Sequence, residues 1–365
     1  MLHWIHTKKE GCAIRYPAFL KKGEAIGYAA PSFGCSIEPY RSAFAHALQV
    51  LEERGHPAVL GENVYASDGV GISTAPEKCG REITRMLLSE DTGAVLSCGG
   101  GELMCEILRH VDFEALRAGK PKWFMGYSDN TNLTFLLATL CDTAAVYGPC
   151  APSFGMEPWH PAIEEAFRLL HGELTETAGY PYYEIESLKS EEKPLEPYHC
   201  TEPRLIRVYD PKRGLLPAGE GEALRVSGRL IGGCLDILAT LCGTEFDRAA
   251  AFAERYREEG QIWFLEACDL NAFGIRRALW QLKNAGWFRH ARGFLIGRPL
   301  TGREDRMGLD HLHAVTDALG ELSVPIVLDA DLGHLPPMMP LITGSLAELS
   351  YTPAEDRFRL QMRLE

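Results

Sequence analysis

Between residues 25 and 149 the chain alternates short, unbroken apolar runs with amphipathic stretches. Runs at 25–30, 58–60 and 94–98 are each followed by a helix-period stretch, at 40–54, 77–88 and 103–110. Strands buried on both faces read as continuous apolar segments, and parallel neighbours need a crossover that a helix usually supplies. The pattern therefore predicts a βαβ succession and a parallel sheet. A strand at 123–127, a helix from Thr131 and a strand at 145–148 extend the same unit.

Residues 156–222 change character. Pro158, Pro161, Pro181, Pro194, Pro197, Pro203, Pro211 and Pro217 break the pattern and a charged run occupies 189–193, which predicts a linker with irregular elements. The alternation then resumes: strand 224–230, Gly232-Gly233, helix 235–241, strand 262–266, helix 275–284, strand 294–296, helix 309–319, strand 326–328 and a closing hairpin of 346–351 with 357–364. The expected organisation is an α/β domain over 1–155, an insertion over 156–222 and a second α/β domain over 223–365. With 365 residues, 46% of them hydrophobic, the chain is long enough for two cores.

Charge narrows the partners. A formal net charge of -13 and the lack of any Lys/Arg cluster argue against a nucleic-acid or anionic-membrane surface, leaving a small molecule or peptide. There is no run of about eighteen apolar residues, and the first nine residues lack the apolar core of a secretory signal, so a soluble cytoplasmic protein is expected. Eleven cysteines form an odd set, and Cys98, Cys141, Cys234, Cys242 and Cys268 lie in apolar segments, which predicts reduced, buried thiols. No Cys-x-x-Cys pair occurs, and His311 and His313 on one helix would point to different faces, so a metal site has little support.

The chemistry concentrates at Lys122-Trp123-Phe124-Met125-Gly126-Tyr127-Ser128-Asp129-Asn130-Thr131-Asn132. An apolar strand ended by Gly126 and followed at once by a helix makes a sharp turn, with Ser128 at the carboxyl end of the sheet, where open α/β folds bind ligands. Backbone N–H groups at such a turn stabilise the oxyanion formed when a serine attacks a carbonyl. The pattern is Gly-x-Ser-x-Asn, and Ser128 as cap of the following helix explains it equally well locally. A nucleophilic serine needs a base with an acid behind it. Glu266 ends the apolar run 262–265, and His334 follows the strand at 326–328; a structural acid and a backbone-bonded loop histidine are the plainer alternatives. Gly99-Gly100-Gly101 would let backbone approach a ligand closely, but matches neither a Walker loop nor a dinucleotide fingerprint.

Taken in order, Ala29-Ala30-Pro31-Ser32, Gly99-Gly100, Gly126-Tyr127-Ser128-Asp129-Asn130-Thr131, Tyr147-Gly148-Pro149, Gly228-Arg229-Leu230-Ile231-Gly232-Gly233, Leu265-Glu266 and Gly333-His334 resemble the LD-carboxypeptidase family of serine peptidases, which includes the microcin C immunity peptidases. The resemblance implies an N-terminal parallel-sheet α/β domain, a C-terminal mixed β/α domain with the active site between them, and a homodimer. It implies a triad of Ser128, His334 and Glu266, an oxyanion hole of the Gly100 and Asp129 amides, and no cofactor. The implied substrate is an LD-peptide bond such as that to the terminal D-alanine of a murein tetrapeptide. An aminoacyl-nucleotide amide is the alternative, and a non-catalytic ligand-binding module of the same fold is a third reading. Cys98 before the paired glycines, Gly101-Glu102 after them and the acidic lead-in Asp329-Ala330-Asp331 depart from many murein-cleaving members. An exopeptidase must also read a free carboxylate, which calls for a cation or a helix N-terminus close to Ser128. Arg229 and Arg298 are candidates that serve equally well as structural ion-pair residues, and Trp159 is a candidate for stacking on adenine, with a surface anchor as its plainer reading.

Overall fold

The computed structural model describes residues 13–68 and 71–365. Five parallel strands build the first sheet: β1 (Ala25–Ala29), β2 (Ala58–Leu60), β3 (Thr92–Ser97), β4 (Trp123–Gly126) and β5 (Ala145–Tyr147), in the order β2-β1-β3-β4-β5. Helices α1 (Tyr40–Glu53), α2 (Pro76–Leu88), α3 (Phe113–Ala118) and α4 (Thr131–Cys141) lie between them in sequence. The helix expected at 103–110 is a 3-10 segment, Met104–His110, whose first N–H is taken by the Asp129 carboxylate at 2.9 Å. Every residue of β4, β5 and α4 is buried. A helix apolar all round needs cover on all sides, and α4 finds it between the two domains.

Residues 156–222 are more ordered than their prolines suggest. They hold α5 (Pro161–Leu170), the strand β6 (Glu176–Thr177), a two-stranded ribbon of β7 (Tyr182–Tyr183) with β8 (Glu202–Pro203), and the strands β9 (Arg207–Asp210) and β10 (Gly214–Leu215). The second domain contributes β11 (Leu224–Cys234), α6 (Leu235–Leu241), α7 (Ala249–Arg255), β12 (Gln261–Glu266), α8 (Ala272–Asn284), β13 (Ala291–Gly297), α9 (His311–Leu319), β14 (Ile326–Ala330), β15 (Leu341–Thr343), β16 (Leu346–Thr352) and β17 (Arg357–Arg363). Its mixed sheet runs β10-β9-β14-β13-β12-β11-β16-β17-β6, so the insertion supplies strands at both edges. The four central strands are parallel, and antiparallel partners flank them.

Three devices hold the domains together. Strand β15 leaves the second domain to pair antiparallel with β5 of the first sheet. Phe135 on α4 lies 5.2 Å from Trp287 and 6.2 Å from Trp263 on β12, giving a shared aromatic core. At the end of β11, Gly233 has φ +148 and a Cβ there would come within 2.5 Å of Thr131, so only glycine admits this approach. The Cys234 N–H donates to Thr131 Oγ1 at 2.9 Å across the same contact. These contacts bring the carboxyl ends of β4 and β12 toward one cleft.

Candidate active site

Ser128 sits at the corner foreseen from the sequence, between β4 and a single 3-10 turn, Ser128–Asn130, that opens α4. Its φ is +63, a left-handed conformation that costs a non-glycine residue about 1–2 kcal/mol. Asn130 fixes the turn: its Nδ2 donates to Tyr127 O at 3.0 Å and to Gly99 O at 2.8 Å, tying the glycine loop to the serine corner. Gly126 has to be glycine, because a Cβ would lie 2.8 Å from the Asn130 side chain. Gly100 faces the serine so closely that a Cβ would stand 3.1 Å from both Ser128 Cβ and Oγ.

The carboxylate of Asp129 turns inward. It accepts from Ser32 Oγ, from Met104 N at 2.9 Å and from Asn132 Nδ2 at 3.0 Å. Burial nonetheless raises its pKa, opposed by those donors. These bonds clamp the side chain and so fix the backbone of the turn, whose N–H groups head α4.

Glu266, the last residue of β12, is fully buried. Its Oε2 meets His334 Nδ1 at 2.8 Å and its Oε1 accepts from Tyr147 OH at 2.6 Å. Tyr147 OH also accepts from Ser128 N at 3.3 Å, so one hydroxyl spans the serine corner and the acid. Gly333, at φ +102, would place a Cβ 2.6 Å from Glu266 Oε2; its bare backbone lets the histidine loop close onto the acid. Burial alone would raise the Glu266 carboxyl, but the His334 charge, with hydrogen bonds from His334, Tyr147 and Cys234, holds it below the usual range. Burial pulls His334 down, and the Glu266 carboxylate, helped by the Cys268 side chain, overcomes this to push it well above 6.5. We read the two as one buried ion pair in which the acid stays ionised and the imidazole gains basicity.

His334 Nε2 is buried and no bond joins it to Ser128 Oγ; the Cys268 side chain lies beside the imidazole and adds to the raising of its pKa. Both residues line one cavity of about 260 Å³, with Gly99, Gly100, Gly101, Tyr127 and Cys150. An imidazole of raised basicity on the wall of a cavity that it shares with the serine of a strained corner is an arrangement able to accept a proton. The acidic lead-in to His334 is accounted for residue by residue. Asp329 pairs with Arg207 and lies 3.0 Å from His311 Nε2. Asp331 pairs with Arg298 at 2.6 Å and accepts from Tyr180 N at 2.7 Å.

Three sequence candidates are occupied elsewhere. Arg229 is buried against Glu259 at 2.6 Å, donates to Gly344 O at 2.5 Å and stacks over Tyr256. Arg298 serves Asp331 and stacks over Tyr183. Neither lines the cavity at Ser128, because a guanidinium buried that deeply is held by its own partners. Trp159 donates to Phe154 O at 2.8 Å beneath the Arg54 guanidinium, away from the cleft. The bridging roles of Tyr147 and Asn130 leave no mark in the linear pattern. Of the cysteines, Cys98, Cys141 and Cys234 are buried, whereas Cys242 and Cys268 are only half-buried; all described cysteines are free thiols, and Cys12 lies outside the described residues. Among the described residues no helix is long and apolar enough to cross a membrane, and no group of three or more His, Cys, Asp or Glu is placed to hold a metal.

Two family models match the chain: the LD-carboxypeptidase N-terminal domain over residues 26–148 and the LD-carboxypeptidase C-terminal domain over residues 227–349. The microcin C7 self-immunity protein of Escherichia coli is 25% identical, across 89% of this chain and 90% of that protein. A probable murein peptide carboxypeptidase of Bacillus subtilis is 24% identical, across 92% of this chain and 91% of that protein. In fold, an MccF-like protein from Bacillus anthracis superposes with a TM-score of 0.78, covering 96% of this chain and 100% of that one at 21% identity. With both domain models matched in order over more than half of its length, the chain belongs to the LD-carboxypeptidase family.

Proposed function

We propose that this protein is a serine hydrolase that cleaves an LD-peptide bond next to a free carboxyl end, such as the bond to the terminal D-alanine of a murein tetrapeptide, as a cytoplasmic homodimer. Ser128 is the nucleophile, His334 the base and then the acid, and Glu266 the group that orients and charges the imidazole. The supporting observation is the 2.8 Å His334–Glu266 pair, with His334 and Ser128 lining one cavity.

In this reading His334 Nε2 takes the Ser128 proton as Oγ bonds to the carbonyl carbon. The resulting oxyanion is met by the N–H groups of Gly100 and Asp129, each donor contributing about 3 kcal/mol in comparable sites. The C–N bond then breaks, and the amine leaves with the proton carried by Nε2. Water, deprotonated by the same nitrogen, releases the acid and restores the serine. The bond from Tyr147 to Glu266 keeps the acid aimed at Nδ1 throughout.

Release of D-alanine from a defined tetrapeptide by the wild-type protein, lost in Ser128→Ala, tests the assignment; no release by wild type rejects the murein substrate. The E. coli relative is named for immunity to a microcin, so an aminoacyl sulfamoyl adenylate is the substrate to assay in parallel. Trp159, the candidate for stacking on adenine, does not line the cleft, which favours the peptide reading.

A further inference from the structure

The cavity at Ser128 lies beside a second one, of about 290 Å³, with Tyr40, Tyr127, Ser153 and His334 lining both. Its far wall comes from the insertion: Glu184, Ile185, Ser187, Lys189, Glu196 and Tyr198. Among the described residues lining the two cavities, Lys189 is the one lysine or arginine. Its side chain is half-buried. No ion pair within 4 Å and no hydrogen bond occupies its ammonium among the described residues; only its backbone N–H is bonded, to Ser187 Oγ at 3.3 Å. The nearby acid is otherwise engaged: Glu184, buried, takes the His199 N–H at 2.5 Å. Burial pulls the Lys189 ammonium below 10.5, with the Glu184 charge pulling the other way, as expected of a cation short of a counter-ion. This contrasts with Arg229 and Arg298, each of which is paired with a carboxylate of the protein, Glu259 and Asp331.

We infer that Lys189 is the specificity residue that pairs with the free carboxylate of the leaving residue, so that the insertion, rather than either domain, makes the site an exopeptidase. The inference rests on the hydrolase reading above. A partly desolvated ammonium gains more from a carboxylate than a fully solvated one does, because less water screens the pair. A neutral carboxamide at the same position would leave the ammonium without its partner.

The test is protection of Ser128 from labelling by a fluorophosphonate, with a tetrapeptide ending in D-alanine and its C-terminal carboxamide as competitors. Each protein is scored against its own uninhibited labelling rate. For wild type the acid is expected to protect at about tenfold lower concentration than the amide. In Lys189→Met the two should protect alike, and Lys189→Arg should restore most of the preference. Equal protection in wild type, or a preference for the acid that survives in Lys189→Met, overturns the role of Lys189 while leaving the nucleophile standing. Failure of the probe to label Ser128 in wild type overturns the hydrolase reading and this inference with it.

Discussion

Replacing Glu266 by glutamine keeps the shape of the side chain and removes its charge, which isolates what the buried ion pair does. The acid lies 2.8 Å from His334 Nδ1. Opposite unit charges at that separation attract by about 6 kcal/mol at an effective dielectric constant of about 20. Desolvation of the imidazolium opposes this, and breaking one side of a buried pair typically costs about 3–5 kcal/mol. A similar loss of support for the imidazolium formed in the transition state lowers kcat/KM by about 10²- to 10⁴-fold. The pH profile carries a second signature. In wild type the free base appears only as pH rises through the elevated His334 value, so the acid limb lies above 6.5. Without the carboxylate, burial is opposed only by the neighbouring Cys268 side chain, and the limb should move to lower pH. The assay is kcat/KM for D-alanine release between pH 5 and pH 9, with circular dichroism confirming the fold. A variant within threefold of wild type whose acid limb has not moved would refute the claim that Glu266 sets the basicity of His334.

Ser128→Ala and Ser128→Gly should both be inactive, yet the glycine variant should resist urea better by about 0.5–1 kcal/mol, because only glycine adopts φ +63 without cost; the reverse order would show the corner to be unstrained. Gly100→Ala inserts a methyl 3.1 Å from Ser128 Oγ and should lower kcat/KM by about tenfold or more with little change in the unfolding midpoint; full activity would remove the glycine loop from the reaction. His56 Nε2 lies 3.0 Å from His171 Nε2, and burial holds His56 below 6.5. Its folded value is thus the lower one, so stability is complete above the unfolded value and falls as pH drops through 6.5. Urea midpoints at pH 8 and 5.5 should differ less in His56→Gln than in wild type, and equal slopes would refute the pair as a source of acid sensitivity. His334 contributes in the opposite sense, as its raised value favours the folded state below 6.5 and loses that advantage as pH rises through the folded value.

Much of the fold was legible in the sequence. Strands such as β4 and β12 are buried on both faces, which demands unbroken apolar runs, and α6 begins and ends where its pattern does. The serine corner was readable for the same reason: a glycine after an apolar run and a helix starting at once beyond it leave the chain one way to turn. What the sequence did not reveal lacks a period of its own. Strands β6, β9 and β10 are two to four residues long and exist only because the edges of the second sheet offer partners. The burial of Arg229 and Arg298, the Tyr147 bridge to an acid 119 positions away and the exposure of Lys189 to the cleft depend on which surfaces meet once the domains close. Local pattern determines how a segment folds because backbone hydrogen bonding and burial repeat along it. Ion pairs and hydrogen bonds between distant side chains carry no such repeat, so only the tertiary structure decided which charges are satisfied and which remain available to a substrate.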